Sequence, residues 1–206
     1  MKRFLVYLGY LASFIYSPKV SWIVSFVRSL VYSGWKKRQF RRMEGFINFP
    51  IGTGGEKCIS IGKGTVIGKY ALITAWPEYK MQRENSKAYS PSIIIGDNCH
   101  IGEYTHITAI TDITIGNNVL TGRYVLISDN SHGDRTNLDI APKDRPLTTK
   151  GPIRIEDNVW IGDNVVILSG VCIGQGAVIG ANSVVTKNVE AKTTVVGSPA
   201  QVISNR

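Results

Sequence analysis

From Ile155 to Asn188 the chain reads I-E-D-N-V-W, I-G-D-N-V-V, I-L-S-G-V-C, I-G-Q-G-A-V, I-G-A-N-S-V, V-T-K-N, so an aliphatic residue returns at Ile155, Ile161, Ile167, Ile173, Ile179 and Val185. The period is six. A helix repeats its faces every 3.6 residues and a strand every 2, so neither alone explains this spacing. Hexapeptide periodicity is the mark of a parallel β-helix, in which each short strand stacks on one a full coil earlier. The Ile column is expected to fill the prism. Gly and Asn are expected at the turns, where positive φ is tolerated.

The beat also runs upstream through Ile61, Ile67 and Ile73, then Ile95, Ile101, Ile107 and Ile113; it slips by two residues and resumes at Ile115, Thr121 and Ile127. Two stretches, 74–90 and 132–152, are polar, carry proline and fall out of phase. Each is expected to leave the coil as a loop, and loops on a rigid scaffold are where sites are usually built.

Several of these motifs resemble the hexapeptide-repeat acyltransferases, most closely the galactoside, maltose and polysaccharide O-acetyltransferases. The similarity covers Cys58 to Ile203. It is carried by N-N-V-L at 117–120 with D-N-S-H at 129–132, by D-N-V-W-I-G at 157–162, by V-I-G-A-N-S-V-V-T-K at 178–187 and by V-G-S-P-A at 196–200. It implies a mainly β fold, a left-handed parallel β-helix over residues 46–206, with a short α-helical segment at 1–45 and the two loop excursions. It also implies transfer of an acetyl group from acetyl-CoA, as co-substrate and without a metal, to a saccharide hydroxyl in cell-surface polysaccharide or lipopolysaccharide synthesis. Homotrimers with active sites between subunits are part of the same expectation.

Carried over residue by residue, the resemblance makes His132 the catalytic base. It assigns the coenzyme to Trp160, Gly162, Asp163, Gly180, Ala181, Ser183, Thr186 and Lys187, with Lys187 facing a phosphate. An imidazole whose reference pKa is about 6.5 can take a proton from a sugar hydroxyl at neutral pH. Asp129 and Asp134 stand close enough in sequence to orient that ring. On the acceptor side, Asn130, Arg135 and Arg145 are the candidates, the two arginines suiting a glycan that carries carboxylate or phosphate. Where the galactoside branch has Asn and Asp, this chain has Gly102 and Ile110, so a galactoside acceptor is not expected.

Three other readings compete. One is N-acetylation of a nucleotide-linked amino sugar, and another is a non-catalytic β-helix scaffold. The third is a zinc hydratase, which would need all three histidines, at 100, 106 and 132, although their spacing does not suit it. Cys58, Cys99 and Cys172 show no metal-type or disulfide spacing, which fits a reducing, cytoplasmic setting.

The net charge of +9 is concentrated at one end. Residues 1–45 hold nine Lys and Arg against one Glu, whereas the other 161 residues hold fifteen against fourteen acids. A nucleic-acid reader would need cations and aromatics spread over a platform, and none is evident. The same segment reads as two short helices, the second capped by Ser17, opened by Pro18 and stopped near Gly34. Both apolar runs are short of the roughly 20 residues a membrane span needs. Two roles remain for the segment: a peripheral contact with the inner face of the plasma membrane, or a lid on the open end of the coil.

Overall fold

A computed structural model describes residues 2–15, 17–80, 86–133 and 139–205. Its body is a three-faced parallel β-helix. Successive strands turn through face 1, face 2 and face 3, and each face is a sheet whose neighbours are one coil apart. The hexads at 155, 161 and 167 lie on faces 1, 2 and 3, and each pairs with the residue eighteen places later: Ile155 with Ile173, Ile161 with Ile179, Ile167 with Val185. These six side chains are buried, as are Ile61, Ile67, Ile73, Ile95, Ile101, Ile107 and Ile127. A strand of two residues cannot bury an apolar face alone; the stack of coils supplies the core. Cys99 also lines the interior, and burial holds its thiol above the ordinary range.

Turns at the corners take positive φ, at Asn98, Asn118, Asn158, Asn164 and Asn182 as expected, but also at Tyr70, Tyr104 and Tyr124. The left-handed region is strained for a bulky residue. Here the three rings stack along the corner with centroids 4.9 and 4.7 Å apart, which offsets part of that strain.

The three insertions into the eighteen-residue coil fall at the corner between face 3 and face 1. Ile61 pairs with Ile95, Ile95 with Ile115 and Ile115 with Ile155, so that corner takes up sixteen, two and twenty-two extra residues on successive coils. The first insertion is an antiparallel hairpin, Glu78–Lys80 against Ser86–Ala88, rather than an open loop. The two-residue slip is a widened corner filled by buried Ile110. The third insertion is the 132–152 excursion, closed at its base by the antiparallel strands Ser131–His132 and Leu147–Thr148. Because the three insertions stack on one corner, they meet.

At the other end of the chain, helices α1 (Lys2–Ile15) and α2 (Pro18–Lys36) precede the first coil strand, Arg42–Met43. Ser17 caps α2 through a bond from the Val20 N–H, with Pro18 in the first turn, as the sequence suggests. Gly34 does not stop the helix, which continues to Lys36; a glycine in a helix interior costs about 1 kcal/mol, and packing of α2 outweighs it. That packing is polar. Ser33 Oγ accepts from Ile47 N at 2.8 Å and donates to Ile47 O at 3.0 Å, while Ser29 Oγ accepts from Phe49 N at 3.1 Å. Phe46–Ile47 is the edge strand of face 2, so the serines satisfy backbone groups that the first coil would leave open.

Candidate active site

The strand Leu126–Ser128 on face 3 delivers the chain to Asp129, Asn130, Ser131 and His132 at the insertion corner. Asp129 is fully buried. One carboxylate oxygen accepts from Ile110 N at 2.8 Å and from Asn130 Nδ2 at 3.1 Å; the other accepts from Thr111 N at 2.8 Å and Thr111 Oγ1 at 2.7 Å. Both oxygens are therefore committed to the widened corner of the preceding coil. The expectation that Asp129 orients the imidazole is corrected: it fixes the backbone from which His132 departs. Asp134, the other candidate, lies outside the described residues.

His132 is exposed and sits opposite Leu147 in the two-stranded base of the excursion. Its neighbours Ser131 and Gly133 line a cleft of about 590 Å³, together with Ser128, Lys150, Leu168 and Thr186. Side chains alternate across a strand, so the imidazole projects to the side away from that cleft. There its ring meets the Tyr79 ring edge to face, with centroids 5.9 Å apart.

Tyr79 comes from the hairpin, and the hairpin braces the excursion. The Tyr79 hydroxyl donates to Lys143 O at 3.3 Å, the Tyr89 hydroxyl donates to Leu147 O at 2.8 Å, and Trp76 Nε1 donates to Thr108 Oγ1 at 3.0 Å. Burial raises the Tyr89 phenol above its ordinary pKa, which keeps it a donor. Arg145 lies buried inside the excursion and its Nε donates to Ile140 O at 2.7 Å. A side chain at Gly133 would run into Arg145 Cβ, and its φ of +70° suits glycine. Arg145 thus holds the excursion in shape. Asn130 spends its amide on Thr108 O at 3.2 Å and on Asp129. Arg135 lies outside the described residues.

The coenzyme candidates divide between two regions. Trp160, 53% exposed, stands on face 2, with Gly162, Asp163, Gly180 and Ala181 at the corner from face 2 to face 3. Coil stacking itself demands the small residues. A Cβ on Gly162 would lie 2.6 Å from Ala181 N, and one on Gly180 would lie 2.6 Å from Val196 Cγ1. Asp163 accepts from Arg123 N at 2.7 Å, tying two coils together. Ser183 is buried, its Oγ accepting from Gly197 N at 3.0 Å. Ala181 is exposed at this corner and its methyl group leaves the surface there open. Thr186 lies across face 3, in the cleft beside the excursion, and the exposed Lys187 follows it.

His100 and His106 sit on faces 2 and 3 of the coil. Burial lowers the pKa of His106. Among the described residues no group of three His, Cys, Asp or Glu could hold a metal ion.

Residues 152–187 match the family described as bacterial transferase hexapeptide (six repeats). The fold is the left-handed β-helix of the hexapeptide-repeat transferases. Among solved structures, that of AntD, an N-acyltransferase from Bacillus cereus in complex with dTDP and 3-hydroxybutyryl-CoA, is 20% identical; the match covers 85% of this chain and 88% of that one, with a TM-score of 0.68. The hexapeptide-repeat acetyltransferase VCA0836 from Vibrio cholerae is 26% identical over 86% of this chain and 80% of that one, with a TM-score of 0.54. Its complex with acetyl coenzyme A matches at 27% identity and a TM-score of 0.50, covering 84% of this chain and 74% of that one. No curated protein matches the chain in sequence. In this hexapeptide-repeat coil, the imidazole and most coenzyme candidates occupy different edges of one prism.

Proposed function

We propose that the chain is an acetyl-CoA-dependent acyltransferase, that His132 is its general base, and that the acceptor is a hydroxyl of a cell-surface saccharide. The observation that carries this reading is the presentation of His132: an exposed imidazole, held on a two-stranded base and braced by Tyr79, on a hexapeptide-repeat coil akin to an acetyltransferase that binds acetyl coenzyme A. A plain surface turn would need neither the buried Asp129 anchor nor a hairpin inserted at the same corner two coils earlier.

In this reading an imidazole nitrogen accepts the acceptor's hydroxyl proton as the oxygen attacks the thioester carbonyl carbon. The new C–O bond gives a tetrahedral oxyanion, which backbone N–H donors stabilise. Collapse of the oxyanion breaks the C–S bond. The imidazolium returns the proton to the departing thiolate, giving the acetyl ester and free CoA. No acyl-enzyme is needed.

The separation of His132 from Trp160, Gly162 and Ala181 supports a site shared between two subunits. The imidazole of one chain would face the corner between faces 2 and 3 of a neighbour, with three such contacts in a closed trimer. Lys187 remains the candidate for a coenzyme phosphate, where an ammonium serves as a point charge.

The test is release of CoA thiol from acetyl-CoA in the presence of a pool of glycan acceptors, with mass spectrometry of the products. His132→Ala is expected to lower kcat by about 10²–10⁴ with the fold intact. Turnover close to wild type in that variant would remove His132 from the role. An acetyl group found on the nitrogen of a nucleotide-linked amino sugar would replace the hydroxyl acceptor by an amine.

A further inference from the structure

Helix α2 is amphipathic in the reverse of the usual sense. Its polar stripe, Ser21, Ser25, Ser29 and Ser33 at every fourth residue, turns inward; Ser29 and Ser33 bond the first coil and Ser25 Oγ accepts from Lys69 Nζ at 2.9 Å. The opposite face is apolar and open, with Ile23, Val27, Val31 and Trp35 each at least half exposed, and Trp22, 66% exposed, stands at the flank of the stripe. Helix α1 goes further. Phe4, Leu5, Val6, Tyr7 and Leu8 run through more than a full turn and are 45–73% exposed, so apolar surface covers every side of it. A helix that is apolar all round belongs in an apolar surrounding.

We infer that this helix pair docks on an anionic membrane surface, with α1 lying within one leaflet and the apolar face of α2 resting on it. Length excludes a span: fourteen residues reach about 21 Å, against a hydrocarbon core of about 30 Å, and none of the described helices is long and apolar enough to cross. Charge selects the occupant. Between residues 1 and 43 there are nine Lys and Arg and no acidic residue. Lys36 is paired with Glu56 at 3.1 Å and Arg28 lies over the Phe49 ring at 3.8 Å, whereas Lys2, Arg3, Lys19, Lys37 and Arg38 are exposed around the apolar surface. A second copy of the helix pair would bring like charges together. An anionic headgroup layer neutralises them, at about 1 kcal/mol per cation near the surface. This surface does not depend on the acyl-transfer reading and would serve a non-catalytic coil equally.

The experiment is flotation of the full chain with vesicles of phosphatidylcholine, with or without phosphatidylglycerol, alongside quenching of tryptophan fluorescence by brominated lipid. The chain is expected to float with the anionic vesicles and to be released by high salt. Trp22 and Trp35 should be quenched. Leu8→Asp and Trp22→Asp should each lower partitioning about tenfold, while far-ultraviolet circular dichroism stays that of the wild type. A wild-type chain that stays at the bottom with anionic vesicles, or floats equally with neutral ones, overturns the inference. So does dissociation of a larger assembly by the same substitutions with vesicle binding unchanged, since a second copy would then be what covers the face.

Discussion

At the scale of single residues, the least legible assignment is Asp129. Its sequence neighbourhood, three positions before His132, suggested a partner for the imidazole. The structure gives it to Ile110 and Thr111, because the two extra residues of the preceding corner leave two backbone N–H groups that no strand can satisfy. Asp129→Ala would leave those donors buried and unpaired, at about 1–3 kcal/mol each. Thermal denaturation should register a clear loss of stability, and Asp129→Asn a smaller one, since the amide keeps one acceptor oxygen. If Asp129 acts only on the backbone, the pH dependence of kcat/KM in Asp129→Asn will match the wild type. A second residue-scale expectation concerns His106. Burial lowers its folded pKa below the ordinary 6.5, so the folded state favours the neutral ring. The stability this contributes is present above pH 6.5 and is lost as the pH falls through the lowered folded value. Denaturant titrations across that window should show a shallower acid loss for His106→Gln than for the wild-type chain.

At the scale of elements, the coil was readable because its periodicity is covalent in origin: one buried Ile per six residues leaves no other repeat to satisfy. The insertions were visible as breaks in phase, but their shared corner was not, since only strand register shows that 16, 2 and 22 extra residues stack on one edge. For the same reason Tyr79, 53 positions before His132, carried no sequence signal. The corner tyrosines were missed because a bulky residue at positive φ runs against local preference. Helix α2 was located, but the role of its serines was not. They are its docking stripe. Ser33→Ala would strip both the N–H and the carbonyl of Ile47 of their side-chain partner beneath the helix. The expected loss is about 2 kcal/mol, a melting shift of about 4–8 °C for a chain of this size. Substitution of Val24, on the exposed side of the same helix, should leave the melting temperature close to wild type.

At the scale of the whole molecule, one chain holds His132 and the face 2 coenzyme candidates of the proposed site on different edges. His132 leaves the prism at the corner between faces 3 and 1, while Trp160 and Ala181 lie on face 2 and its corner with face 3. A rigid three-sided coil has no hinge that could fold one edge onto another, because every coil is bonded to the next along all three faces. In the proposed two-subunit site another copy brings the Trp160 and Ala181 wall to the imidazole, and this has a consequence that a single-chain site does not share. His132→Ala removes the base and leaves the wall. Ala181→Trp keeps the base and obstructs the wall, its side chain pointing into open solvent where the fold tolerates it. Each variant alone should be nearly inactive in a CoA-release assay. Co-expressed in equal amounts and assembled at random in closed rings, they place an intact His132 against an intact wall in about one interface in four. Activity should therefore return to about a quarter of wild type. A site contained within one chain predicts no recovery at all, because every subunit would carry one lesion, and mixing the two purified variants without subunit exchange supplies that baseline.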